Sequence, residues 1–175
     1  DGFLLPGHVC AILGVEPFRF VAEAHGRPCV VTGFEPLDIL QGVEMLCRQA
    51  AAGRAEVEIQ YSRVVAPQGN PRARELVDRI HRPVTARWRE IGEIPASGLA
   101  LRGEFARWDA AAALPVELPP PRPPRGCICG RILMGLALPG DCPLFGGECT
   151  PGEPVGPCMV SSEGTCAAWF KYGGA

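Results

Sequence analysis

The chain has 175 residues with 17 basic and 19 acidic side chains, so its net charge of −2 leaves no electrostatic footprint for nucleic acid. No apolar run approaches the roughly 18 residues that span a membrane, which reads as a soluble protein. Nineteen prolines, 22 glycines and nine cysteines are the unusual features, and their distribution divides the chain.

The opening residues, Asp1 followed by GFLLPGHV, read as the interior of a domain, and the chain is expected to be part of a longer protein. Short β-branched runs near Pro28–Thr32 (PCVVT) and Glu56–Tyr61 (EVEIQY) are strand candidates. Between them the stretch Pro36–Ala52 has helix-forming composition and stops at Gly53. This strand–helix–strand unit predicts an α/β domain over residues 1–113, with a Rossmann-like parallel sheet. A second helix is expected from Pro71, capped by Asn70, to about Trp88, with Pro83 kinking or breaking it. A third strand at Gly98–Leu101 and a helix at Glu104–Ala113 complete this part. Residues 114–126 are read as a linker, because six prolines in the ten residues from Pro115 to Pro124 demand an extended, stiff segment.

Six cysteines then fall in residues 127–175, in the pattern C-x-C-x12-C-x6-C-x8-C-x7-C from Cys127 to Cys166. Their neighbours are mostly Gly and Pro, so cross-links or a metal must supply stability that apolar burial cannot. Three chemistries compete. A disulfide framework suits an oxidising compartment, whereas Cys10, Cys29 and Cys47 sit in strand- or helix-like surroundings and read as reduced core thiols, which favours the cytosol. Structural zinc most often takes two C-x2-4-C pairs, and here only Cys127 and Cys129 are near neighbours. An iron–sulfur cluster accepts thiolates arriving from separated loops, and Cys142-Pro143 suits one. Six thiols exceed the four a cluster needs, and a spare pair beside a redox centre invites thiol–disulfide chemistry. Spacing does not decide which four are ligands.

The motifs GFLLPGHV (Gly2–Val9), GFEPLDILQ (Gly33–Gln41), QYSRVV with a following GN (Gln60–Val65, Gly69–Asn70), CPLFG (Cys142–Gly146) and PVGPCMVSSEGTCAAWFKYG (Pro154–Gly173) resemble one family, the HypD hydrogenase maturation factors. The resemblance covers the whole chain and corresponds to roughly the second half of the family's length. It implies a cytoplasmic assembly scaffold with redox activity rather than a turnover enzyme. With the small protein HypC, and with cyanide delivered by HypE, the family equips the iron of [NiFe]-hydrogenase with its cyanide and carbon monoxide ligands. It also implies a small Cys-rich domain after the α/β part, holding a [4Fe-4S] cluster on Cys127, Cys142, Cys149 and Cys166, with Cys129 and Cys158 as a redox-active pair supplied with electrons by the cluster. The family's Cys-Pro-x-Cys stretch, expected to hold the Fe(CN)2(CO) unit, is absent from these 175 residues. Taken as an entire gene product, the chain is expected to hold a cluster without completing the scaffold reaction. From another class, a zinc or redox-silent cluster module on a protein-docking α/β domain accounts for the same cysteines.

Glu163, in SSEG, is a candidate for proton handling or positioning, against a solvated turn carboxylate. Glu35, after a predicted strand, could face a partner or the iron site, or simply stabilise a helix N-terminus. His8 could reach a metal or partner, or satisfy local backbone groups. His25 and His81 read as surface, and Trp169, Phe170 and Tyr172 as core. No G-x-x-x-x-G-K-[ST], G-x-G-x-x-G or G-x-S-x-G motif is present.

Overall fold

The computed structural model describes residues 1–88, 91–114 and 124–173. It forms two compact units, Asp1–His81 and Arg82–Ala175. Residues 115–123 of the expected linker lie outside the described residues.

The first unit is α/β. Its three strands, β1 (Phe3–Pro6), β2 (Cys29–Thr32) and β3 (Val57–Ile59), form a parallel sheet in the order β1-β2-β3. Every residue of β2 is buried, as expected for a continuous apolar run with a parallel neighbour on each side. Strand β1 escaped the sequence reading because it is a short, Leu-containing edge strand that ends on Pro6, a residue tolerated there for want of a ladder N–H. Helices α1 (Gly7–Leu13) and α2 (Arg19–Glu23) connect β1 to β2, and α3 (Pro36–Ala51) connects β2 to β3.

Helix α3 appears where its composition placed it. Yet the residues it turns inward are not its leucines: Asp38, Gly42 and Gln49 are buried, while Leu37, Leu40 and Cys47 face outward. Position 42 explains part of this, because a Cβ there would overlap Cγ2 of Thr32, so glycine lets the helix lie close on the sheet. Gln49 is wholly buried, accepting the amide of Glu56 at 2.9 Å and donating to the carbonyl of Cys29 at 3.4 Å. The exposure of Cys47 corrects its reading as a core thiol, whereas Cys10 and Cys29 are wholly buried beside Leu5, Val15, Val31 and Val65.

Helix α4 (Pro71–Ile80) starts as expected, with Asn70 Oδ1 accepting the amide of Ala73 at 3.1 Å. It does not continue to Trp88. His81–Trp88 is strand β4, paired with β5 (Gly92–Leu101) in a separate two-stranded sheet. Pro83 removes a helical donor and drives Arg82 to extended backbone, and the β-branched Val84 and Thr85 favour a strand. The strand expected at Gly98–Leu101 is the end of β5, and it does not join the parallel sheet. The helix expected over Glu104–Ala113 is two pieces, a 3-10 segment Gly103–Trp108 and α5 (Ala110–Ala113). Asp109 splits them by turning its carboxylate onto the Ala111 amide at 3.0 Å. Among the described residues, no helix is long and apolar enough to cross a membrane.

Candidate metal centre

The cysteine-rich segment folds as short turns and helices, α6 (Cys129–Leu133), the 3-10 turn Pro139–Asp141, α7 (Pro157–Val160) and α8 (Thr165–Tyr172). Its buried cluster is Cys129, Cys142, Cys149, Cys158 and Cys166 with Ile132, Leu144, Met159 and Ala167, and Cys127 packs against it. Sulfur thus occupies the place that aliphatic side chains fill in an ordinary core. All six cysteines singled out in the sequence are brought together here.

Each is placed by local backbone chemistry. Cys142 closes the Pro139–Asp141 turn, donating its amide to the Pro139 carbonyl at 3.1 Å, while Asp141 accepts the Leu138 amide at 2.8 Å. Cys149 is held by its amide on the Leu144 carbonyl at 2.8 Å, and its sulfur accepts the amide of Val155 at 3.4 Å. Cys129 opens α6, Cys158 follows Pro157 in α7, and Cys166 is the second residue of α8. Two glycines make room: a Cβ at Gly156 would stand 2.6 Å from the Cys127 sulfur, and one at Gly164 would overlap the Cys158 carbonyl oxygen.

Within this core Cys158 links two partners. Its thiol donates to the Cys166 sulfur at 2.9 Å and is itself hydrogen-bonded by Cys129. Burial, followed by the bond to Cys166, pushes the Cys158 thiol up to about 11, with Cys129 pulling in the other direction. Burial also raises Cys166, against the contact with Cys158, which lowers it. The expected redox partners are therefore in contact, but Cys158 also touches a residue of the expected ligand set.

Among the described residues, no three His, Cys, Asp or Glu side chains converge on a single ion-sized point. The donor set is nonetheless chemically uniform. It consists of thiols with a backbone amide on one sulfur, drawn from separated turns, which fits the thiolate ligation of an iron–sulfur cluster.

Glu163 is exposed in the turn before α8, where its amide donates to Ser161 Oγ at 3.2 Å. Trp169, Phe170 and Tyr172 are 39, 45 and 71 % exposed, which corrects their reading as core: α8 turns Cys166 and Ala167 inward and these rings outward. Phe170 meets the ring of Phe145 at 5.9 Å between centroids.

A second polar group, missed in the sequence reading, lies where β2 and β3 end. Arg63 grips buried Asp38 with two hydrogen bonds, 2.8 and 2.7 Å, and reaches Glu35 at 3.4 Å, while Gln60 donates to Asp38 at 3.0 Å and to Gln41 at 2.7 Å. The Arg63 hydrogen bond is the chief cause that holds the Asp38 carboxyl down to about 2. The signal was present in GFEPLD and QYSR, but nothing local says that the two segments meet. Glu35 thus pairs with Arg63. His8 meets Phe34 at 4.9 Å with the rings tilted 55° to each other, and His25 lies edge-on to Phe20 at 6.0 Å. His81 is half-buried with Nδ1 lacking a hydrogen-bond partner, which corrects its surface reading.

The chain thus combines a unit built on a parallel α/β sheet with a module whose core is lined by sulfur. The chain belongs to the HypD family, whose model, described as "Hydrogenase formation hypA family", matches residues 1–173. It is 49 % identical over 175 residues to hydrogenase maturation factor HypD2 of Bradyrhizobium diazoefficiens, covering 99 % of this chain and 46 % of that one. To hydrogenase maturation factor HypD of Cupriavidus necator it is 45 % identical over 175 residues, again 99 % and 46 % of the two chains. With the HypD of Rhizobium leguminosarum bv. viciae the identity is 45 % over 174 residues, 99 % and 45 % covered. The chain spans a little under half the length of these relatives.

Proposed function

We propose that this chain is the cluster-bearing portion of a cytoplasmic hydrogenase maturation scaffold, with a Rossmann-like sheet unit and a [4Fe-4S] domain. The observation that carries the reading is the meeting of six thiols in one core in a member of the HypD family. Cys127, Cys142, Cys149 and Cys166 would hold the cluster, which supplies electrons one at a time when bound. Cys129 and Cys158 form the thiol pair: joining their sulfurs releases two electrons and two protons, and the reverse consumes them. Their contact inside a buried core keeps bulk water from the exchange. Glu163, exposed in the turn three residues before Cys166, would take or return such a proton. The iron destined for its cyanide and carbon monoxide ligands is cargo, handled with a HypC-type chaperone and a HypE-type cyanide donor.

The test is iron, acid-labile sulfide and zinc content, with an optical spectrum, on the chain purified without oxygen. About four irons and four sulfides per chain are expected. Stoichiometric zinc without sulfide would replace this reading with a structural metal module on a docking domain.

A further inference from the structure

Cys158 meets the sulfurs of both Cys166 and Cys129 and can form only one disulfide. We propose that in the cluster-free chain it pairs with Cys166, and that this bond blocks cluster loading until it is reduced. The inference rests on the proposed function through the assignment of Cys166 as a ligand, since a sulfur bound in a disulfide cannot ligate iron.

The contact between the two sulfurs spans 2.9 Å. Helices α7 and α8 set it, joined by the turn in which the Gly164 amide donates to the Ser161 carbonyl at 2.9 Å. Glycine at 164 lets that turn press against the Cys158 carbonyl, where any larger residue would force the helices apart. A disulfide needs the sulfurs at roughly 2.05 Å, a further approach of about 0.9 Å. Both sulfurs are buried, so once closed the bond is shielded from exchange with other protein thiols.

The oxidant is a small-molecule disulfide. One cysteine thiolate attacks it, releasing one small thiol and forming a mixed disulfide. The second cysteine then displaces the other small thiol, so two S–H bonds are lost, one S–S bond forms, and two electrons end on the small disulfide as two thiols. When Cys166 is held by iron, the remaining partner of Cys158 is Cys129, the pair of the proposed redox step. Occupancy of Cys166 thus selects the partner of Cys158.

Oxidised glutathione added to the cluster-free chain, followed by alkylation and peptide mapping, reads the connectivity directly. The expected product is a Cys158–Cys166 link, still formed in Cys129→Ser. The oxidised wild-type chain should then take up less than a tenth of the iron and sulfide taken up by the reduced chain, until dithiothreitol restores it. Oxidised Cys158→Ser should load without reductant. A Cys129–Cys158 link as the main product, or glutathione adducts alone, overturns the proposal. Failure of the reduced chain to take up iron and sulfide overturns the loading block and the proposed function, yet a mapped Cys158–Cys166 link would still establish the pairing.

Discussion

In the sheet unit, Cys10 and Cys29 are wholly buried among Leu5, Val15, Val31 and Val65, and burial raises both thiols, holding them protonated. In the cysteine module, buried Cys158 touches Cys166 and Cys129, and three further cysteines share or border the same core. The same side chain is packed among aliphatic neighbours in the first and among other sulfurs in the second. Burial is common to both; what separates them is whether another sulfur is within reach.

The largest expected effect breaks this comparison at its centre. Cys149→Ala should abolish iron and sulfide binding and unfold the module, whereas Cys29→Ala should keep the metal content and cost roughly 1–2 kcal/mol, as a small core deletion does. Metal analysis beside urea unfolding of the two variants checks both halves.

Next comes the polar anchor of the sheet unit, Asp38 with Arg63. Arg63→Met leaves a buried carboxylate without its cation and should lower the thermal midpoint more than any surface substitution. The sign with pH follows from a depressed carboxyl. Its stabilisation is fully present above the ordinary value near 4 and is lost as pH falls through about 2, so urea midpoints of the wild type should decline in that window. In Asp38→Asn this part of the decline should vanish.

Smaller again is Gln49→Ala, expected to cost roughly 1–3 kcal/mol by orphaning the Glu56 amide at the start of β3. Asn70→Ala removes the cap of α4 and should cost about 1 kcal/mol. Denaturant titrations followed by circular dichroism rank the two, and neither should change metal content. If either did, the two units would not be the independent systems the comparison supposes.

Much of the α/β unit was legible in the sequence where local signals agree. PCVVT is buried strand in composition, and Pro36 and Gly53 bracket α3. The misreading at His81–Trp88 came from extending a helical period past Pro83, where loss of an amide and β-branched neighbours decide for a strand. The orientation of α3 was not legible, because its leucines suggest a buried face that the close approach at Gly42 gives instead to Asp38 and Gln49.

The cysteine sequence by itself determined that a sulfur-rich module must exist, since so few large apolar residues flank six cysteines that no ordinary core could form. Which sulfurs touch was decided only by tertiary structure. Cys158 meets Cys166 because the turn at Ser161–Gly164 folds α8 back on α7, and Arg63 meets Asp38 because two parallel strands end side by side. Sequence spacing records the donors, but distances between them depend on how chain segments far apart in the sequence are packed.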